Sequence, residues 1–415
     1  MDEGARVVKP VPLRRLVECL DGQRVPLSAE QRSHRPGDVP YWGANDVVGW
    51  VDQHLFDEEL VLVGEDGAPF FDRAKSVAFH VDGPVWVNNH MHVLRPRGVE
   101  PRFLTHALNA TDYGRVISGS TRDKLTQDDM KAIPVPELDI NEQRRVAAFL
   151  DDRVDRIDRV IAARHKEMEA IQAAFESVQR AAILGLDEKR QAEFELPWAR
   201  VGGASRKVRR LGQLARMGTG HTPSRSISDY WLNCTIPWLT TGDVHRFRRD
   251  EIDVIDQTSI QISELGLANS AAVVHPARTV ALSRTASAGF AVIMGNDMAT
   301  SQDFVTWTCG PELLPEFLLY SLRVMRPYLL GFLATGSTHK TIYFPDIQDL
   351  SIVVPEVELQ RLAVEVVAER ADSRKSGLAA LAQCIDLLLE FKYSLIAAAV
   401  AGELDVTTAG SGIPS

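Results

Sequence analysis

An internal duplication constrains the fold of this 415-residue chain more than any other feature. The six residues that begin at Gly119 (Gly-Ser-Thr-Arg-Asp-Lys) recur from Gly336 as Gly-Ser-Thr-His-Lys-Thr, and the pair 143–144 (Gln-Arg) recurs at 360–361. Self-similarity of this kind indicates repeated structural units. The sequence therefore predicts two similar modules with diverged loops.

Weaker similarities precede these segments in the same order. Residues 12–16 resemble 207–211, and residues 39–42 (Val-Pro-Tyr-Trp) resemble 236–239 (Ile-Pro-Trp-Leu). Between the two copies, residues 186–205 are charged and contain glycine, which is typical of a linker.

A long helical segment with an apolar seam follows each copy. Apolar residues alternate at spacings of four and three, the a/d pattern of a coiled coil. The predicted seam consists of Leu150, Val154, Ile157, Ile161, Met168, Ile171, Phe175 and Val178 in the first helix, and of Leu378, Leu381, Ile385, Leu388 and Leu395 in the second. Arg164 is a basic misfit in the first seam, and Lys392 falls on the second.

The fold class that follows is α/β (α+β), with two mixed modules separated by two long antiparallel coiled-coil helices and related by a pseudo-twofold axis. A chain of this length is too long for one ordinary core. We expect the modules at the two ends of the helix pair. The predicted boundaries are 1–138 for module 1, 139–185 for the first helix, 186–205 for the linker, 206–356 for module 2, 357–402 for the second helix and 403–415 for a tail.

Composition indicates a globular protein, with 45% hydrophobic and 25% charged residues. The net charge of −10 does not exclude DNA binding, because phosphate contacts need only local basic residues such as those at 206–210 and 245–249. The four cysteines are far apart, which favours free thiols in a reducing cytoplasm. No run of about 18 apolar residues is present, so we expect no membrane span.

The sequence lacks the motifs of DNA-methylating and DNA-translocating enzymes. A DNA adenine methyltransferase would need a DPPY- or NPPF-type motif, and a translocating motor would need a phosphate-binding loop of the GxxxxGK[ST] type. His90 and His92 would face one side of a strand and could bind a metal, but no third ligand is nearby in the sequence, so no metal site is predicted. We expect a chain without catalytic activity.

The order of motifs resembles the specificity subunit of type I restriction–modification systems. The resemblance covers nearly the whole chain. It rests on residues 39–45, 62–67 and 86–90, on 237–238, 279–284 and 301–304, and on the paired Gly-Ser-Thr segments, each set preceding a long helix.

This resemblance implies that each module reads one part of a split, asymmetric target in double-stranded DNA. It also implies that the helices bind two methyltransferase subunits and a restriction/translocase subunit. S-adenosylmethionine, ATP and Mg would then be bound by those partners, with no cofactor in this chain. The alternative is a coiled-coil scaffold carrying two modules that bind ligands other than DNA; a stand-alone DNA enzyme is disfavoured by the missing motifs.

Side chains able to reach base edges and phosphates supply the candidate DNA contacts. For bases or sugars they are Tyr41, Trp42, Asn45, Asn88, Asn89 and His90 in module 1, and Thr240, Thr241, Asp243, Arg284, Ser301 and Gln302 in module 2. For phosphates they are Arg122 and Lys124 in module 1, and His339 and Lys340 in module 2. The competing interpretation is structural, because Trp42 and Trp238 lie in apolar stretches that are typical of a core.

Overall fold

The structure, a computed structural model, describes residues 8–117, 123–186, 194–201, 206–336 and 340–406. The chain divides into two compact units. Unit 1 comprises Met1–Lys166 with Leu381–Ser415, and unit 2 comprises Glu167–Ala380. None of the helices in the described ranges is both long and apolar enough to cross a membrane.

Unit 1 contains module 1, which is built from short strands and three short helices. The strands are β1 (Pro10–Pro12), β2 (Val17–Cys19), β3 (Val39–Trp42), β4 (Val47–Val51), β5 (Phe56–Asp57), β6 (Leu60–Gly64), β7 (Ala78–Val81), β8 (Pro84–Val87), β9 (Met91–Pro96) and β10 (Pro134–Pro136). The helices are α1 (Ala29–Ser33), α2 (Pro101–Asn109) and α3 (Gln127–Ala132). The strands form sheets in the orders β2-β9-β6-β7 and β4-β3-β8-β5, with β1 paired to β10.

Unit 2 contains module 2, which has more strands in the same arrangement. The strands are β11 (Phe194–Leu196), β12 (Ala199–Val201), β13 (Lys207–Arg210), β14 (Ala215–Thr219), β15 (Ile236–Leu239), β16 (Val254–Ile255), β17 (Gln261–Ile262), β18 (Val274–His275), β19 (Val280–Ser283), β20 (Ala291–Met294), β21 (Met298–Thr300), β22 (Phe304–Cys309) and β23 (Ser351–Val354). The helices are α5 (Glu264–Ala268), α6 (Pro315–Tyr328) and α7 (Phe344–Gln348), and a π-helix spans Leu329–Leu333.

The two modules share their sheet topology, which confirms the duplication. The order β14-β22-β19-β20 repeats β2-β9-β6-β7, and the order β17-β15-β21-β18 repeats β4-β3-β8-β5. In both modules the second sheet contains one parallel pair, β3 with β8 and β15 with β21. In each core, apolar residues of one sheet pack with the following helix, represented by Phe103 in α2 and Phe317 in α6, both fully buried.

The register at the start of each module differs from the predicted one. The Leu13 N–H donates to Ile133 O (2.9 Å), and the Leu211 N–H donates to Leu350 O (2.8 Å). Both leucines begin a one-turn 3-10 helix. The counterpart of Leu211 is therefore Leu13, and the match of residues 12–16 to 207–211 was wrong, because pairing to the last strand of each module sets the register.

The segment predicted to be a linker contains a β-hairpin, made of β11 and β12. The indole Nε1 of Trp198, at its turn, donates to Ser351 O over 3.0 Å. This part of 186–205 is thus attached to module 2.

Two long helices follow the modules, α4 (Ile140–Leu184) and α8 (Val357–Val400). Asp139 caps α4, since its carboxylate accepts from the N–H groups of Asn141 (3.0 Å) and Glu142 (3.2 Å). Each helix ends before a glycine with positive φ, Gly185 (φ 70) or Gly402 (φ 73), the left-handed position that commonly terminates helices.

The helices pack antiparallel within each unit. In unit 1, Lys392 Nζ of α8 lies 2.7 Å from Asp158 of α4, and in unit 2 Arg374 of α8 lies 3.2 Å from Gln172 of α4. All thirteen predicted seam side chains are buried or half-buried, whereas flanking residues such as Asp155 and Arg156 are exposed. The seam of the second helix contains a further buried charge, Arg374, whose guanidinium lies 4.3 Å from the ring centroid of Phe175.

Candidate nucleic-acid interface

Three strand ends and one loop meet at one edge of module 1. The Asn88 N–H, after β8, donates to Trp42 O at the end of β3 (3.2 Å). The Glu65 N–H, after β6, donates to His90 O (2.9 Å), and Glu65 O accepts from the Leu125 N–H (2.8 Å). These backbone bonds bring distant parts of the sequence to one place.

The same backbone bonds recur in module 2. The Ser301 N–H donates to Leu239 O (2.9 Å), and the Arg284 N–H donates to Asp303 O (2.8 Å). Arg284 O accepts from the Ile342 N–H (2.8 Å). Arg284 is therefore the structural counterpart of Glu65, and Ser301 that of Asn88.

We call the polar residues at these edges the strand-end clusters. The cluster of module 1 consists of Glu65, Asp66, Asn88, Asn89, His90 and Lys124. The cluster of module 2 consists of Arg284, Thr285, Ser301, Gln302 and Asp303. Seven of these eleven residues are predicted DNA contacts, so the clusters bring together candidates from distant motifs, although the other predicted contacts lie outside them.

A side chain closes the same tight turn in each cluster. Asn88 Oδ1 accepts from the His90 N–H (2.8 Å), and Ser301 Oγ accepts from the Asp303 N–H (3.3 Å). Asn88 and Ser301 are buried, so their polar atoms support the turn. The turns present the residues between them to solvent, which are Asn89 and Gln302.

Charges in the cluster of module 1 are paired with one another. Glu65 binds Arg24 Nη1 (2.5 Å) and Lys124 Nζ (3.1 Å), and Asp66 binds His90 Nδ1. Arg24 is mostly buried and also donates to a backbone carbonyl, whereas the side chain of Lys124 is 46% exposed. Of the two cations on Glu65, Lys124 is therefore the one available to an incoming phosphate.

A buried ion network lies behind this cluster. Asp21 Oδ2 is 2.7 Å from His92 Nδ1, and His92 Nε2 is 3.0 Å from Leu125 O. Burial by itself raises the pKa of Asp21, but the hydrogen bond from His92 and that imidazole's charge outweigh it, and the pKa lies well below its ordinary value. Asp21, Glu65 and His92 lie close enough for a metal. Because both ring nitrogens of His92 already face protein oxygens, the contacts favour a structural network.

Arg284 dominates the cluster of module 2. Its Nε donates to Gln302 O (3.0 Å), and its guanidinium carbon lies 4.5 Å from the ring centroid of Phe344. The side-chain oxygen of Gln302 accepts from Thr222 Oγ1 (2.6 Å). The net charge of this cluster is less negative than that of module 1, since an arginine stands where module 1 has Glu65.

Some predicted DNA contacts are core residues in this structure. Tyr41 is 1% exposed and its hydroxyl accepts from the Leu27 N–H (2.9 Å). Thr240 is buried and caps the 3-10 helix Thr241–Arg246. Asp243 is fully buried and accepts from the Thr240 N–H (3.0 Å). The structure gives these side chains structural roles, because their polar atoms are occupied inside the protein.

The other predicted residues occupy varied positions. Asn45 is exposed in the β3–β4 turn, and Thr241 is half-buried at the start of a 3-10 helix. Trp42 is half-buried, with its ring 5.1 Å from that of Phe79. Their DNA contacts stay predictions.

Two of the four predicted phosphate contacts, Arg122 and His339, lie outside the described residues. Lys124 is placed beside Glu65, as above. Lys340 is exposed, and its Nζ donates to Leu330 O (2.8 Å).

Four cluster residues were not predicted from the sequence: Glu65, Asp66, Thr285 and Asp303. Glu65, Asp66 and Asp303 lie inside segments that carried the family resemblance, so their position was the available signal. Thr285 pairs with Asp303 as Asp66 pairs with His90. That correspondence is defined by the backbone hydrogen bonds that the two modules share.

A protein-family model described as the type I restriction modification DNA specificity domain matches residues 8–170 and again 205–368. These two matches cover most of the chain and coincide with the duplication. The chain belongs to this family.

Curated relatives agree with that assignment over part of their length. The chain is 30% identical over 141 residues to a putative type I restriction enzyme specificity subunit of Haemophilus influenzae, covering 34% of this chain and 36% of the relative. It is 26% identical over 163 residues to the type I restriction enzyme MjaIX specificity subunit of Methanocaldococcus jannaschii, covering 39% and 37%. The matched stretch thus spans about a third of each relative.

A solved structure has the same fold. A chain from work on complex assembly and conformational transition of the type I R-M system superimposes with a TM-score of 0.68 and 17% identity, covering 96% of this chain and 99% of that one. The fold class predicted from the duplication, two mixed modules with long helices, is confirmed.

Proposed function

We propose that this specificity subunit reads a bipartite, asymmetric target in double-stranded DNA, with one half-site for each module. The observation that carries the proposal is the pair of strand-end clusters. The same backbone bonds present polar side chains at the same edge of both modules, yet the side chains differ, as Glu65 and Arg284 show. Two modules with the same backbone arrangement but different hydrogen-bonding side chains are suited to recognise two different DNA sequences.

The long helices are proposed to dock two methyltransferase subunits, with a restriction/translocase subunit joining them. The solvent-facing side of α8 supports this role. On α8 in unit 2, Leu359, Leu362 and Val366 are spaced by three and four residues and are 37%, 56% and 45% exposed. Such an apolar stripe on a solvent-facing helix is typical of a protein interface.

The proposed chemistry belongs to the partners. S-adenosylmethionine, ATP and Mg would be bound there, and this chain would supply sequence selection. The described residues of the strand-end clusters fit that division, since their polar groups are arranged around turns and surface contacts.

Reconstitution tests the proposal. The methyltransferase subunits are assayed for methylation of genomic DNA with and without the full chain, and the full chain is assayed alone. We expect sequence-specific methylation only when both are present, with no methylation, cleavage or ATP hydrolysis by the chain alone. Robust methylation by the chain alone, or unchanged methylation when it is omitted, would refute the proposal.

A further inference from the structure

Arg284 is held in place by contacts that leave the tip of its side chain free. Nε donates to Gln302 O (3.0 Å), and Phe344 supports the guanidinium plane at 4.5 Å. Neither terminal nitrogen, Nη1 nor Nη2, has a hydrogen-bond or ion-pair partner among the residues that the structure describes. The residue is only partly buried, so this end is open to a ligand.

The backbone of Arg284 is fixed on both sides. Its N–H donates to Asp303 O (2.8 Å), and its carbonyl accepts from the Ile342 N–H (2.8 Å). Two loops therefore fix the backbone of Arg284, while Gln302 and Phe344 hold its Nε and its guanidinium plane. A fork held this firmly loses little conformational freedom when it binds.

We infer that Arg284 reads a guanine in the half-site of module 2, donating from its two terminal nitrogens to O6 and N7 in the major groove. This inference rests on the proposed function and names a substrate feature of it. A guanine offers two acceptors on one edge, which match the arginine fork; the other bases present an amino donor or a single acceptor with a methyl group there. A phosphate can also accept from the arginine fork, but that contact carries no base specificity, so the methylated motif separates the two.

The counterpart position in module 1 supports the assignment to one half-site only. Glu65 has only acceptor atoms when ionised, and both its oxygens already bind Arg24 and Lys124. A carboxylate does not recognise O6 and N7 of guanine, because both sides are acceptors. The guanine requirement therefore belongs to the half-site that module 2 reads.

Genome methylation in a strain that expresses the full chain with its methyltransferase tests the inference. The wild type should methylate a motif whose module-2 half, identified by replacing that module, contains an invariant G·C pair. Arg284→Gln should relax that one position, lowering discrimination by about tenfold to a hundredfold, with the other half unchanged. Arg284→Lys keeps the charge but lacks the fork, so it should relax the same position.

Arg278→Gln is the matched control, because Arg278 lies at the opposite end of β19 and is bound by Glu316 (2.7 Å). It should leave the motif unchanged. Retention of the G·C pair in both Arg284 variants, uniform loss across all sequences, or inactivity of Arg284→Lys would overturn the inference while leaving the proposed function intact. A wild type without any sequence-specific methylation would instead refute the proposed function.

Discussion

Gln143 and Gln360 make the same hydrogen bonds at the starts of the two long helices. Gln143 Oε1 accepts from the N–H of Glu100 (2.8 Å), the N-cap residue of α2. Gln360 Oε1 accepts from the N–H of Leu314 (2.9 Å), the N-cap residue of α6. Both side chains are buried, at 5% and 0% exposure. Each glutamine thus joins its long helix to the main helix of its module.

Replacing either glutamine with leucine should destabilise the protein. Gln143→Leu or Gln360→Leu removes the partner of a half-buried N–H and of a buried carbonyl, which costs about 2 kcal/mol. Chemical denaturation of the full chain measures the loss. Gln23→Leu, at an exposed position, is the control and should have little effect. Equal stability of the Gln360 variant and this control would contradict the proposed junction.

The exposed stripe on α8 predicts a partner-binding variant. Leu362→Glu adds a charge to a side chain that is 56% exposed, so the fold should be retained while methyltransferase binding weakens by tenfold or more. Binding of the purified full chain to methyltransferase subunits, measured by calorimetry, checks this. The control Glu365→Gln lies outside the stripe on the same helix. Unchanged affinity in Leu362→Glu would place the interface elsewhere.

Two lysines should contribute to salt-dependent DNA affinity. Lys124→Ala and Lys340→Ala should weaken binding to all sequences about equally, and each should flatten the slope of log affinity against log salt by about one unit. Glu65 stays neutralised by Arg24 in the first variant, so the loss reports the phosphate contact. DNA binding by the methyltransferase complex over a salt series gives the slopes. Loss confined to one base position, at an unchanged slope, would show that the lysine reads a base.

His275 predicts a pH dependence of stability. Burial lowers the pKa of this imidazole below its ordinary value of 6.5, so the unfolded chain binds its proton at a higher pH than the folded chain does. Keeping His275 neutral in the fold therefore costs no stability above about pH 6.5. Below that pH the unfolded chain takes up the proton first, so the free energy of unfolding decreases as the pH falls. Denaturation between pH 7.5 and 5.5 should show a smaller decrease in His275→Gln than in the wild type. The exposed His54→Gln control should behave as the wild type; identical slopes for all three chains would contradict the assignment.

Sequence patterns predicted the repeated modules and long helices because both depend on local periodicity and ordered motifs. They did not predict the register at Leu13, which is set by pairing with Ile133, far along the chain. For the same reason the equivalence of Glu65 and Arg284 was hidden, since it is defined by backbone bonds and not by residue type. Residue type also failed to reveal that Tyr41 and Asp243 are buried, because polar and aromatic side chains serve core and surface alike.

In the proposed function, each module reads its own half of the DNA target. The most direct test is the methylated motif of a strain that expresses, with its methyltransferase, a chain whose residues 206–355 come from a family member of different specificity. We expect that one half of the motif changes and the other stays as in the wild type. A motif in which both halves change together, or in which neither changes, would contradict it.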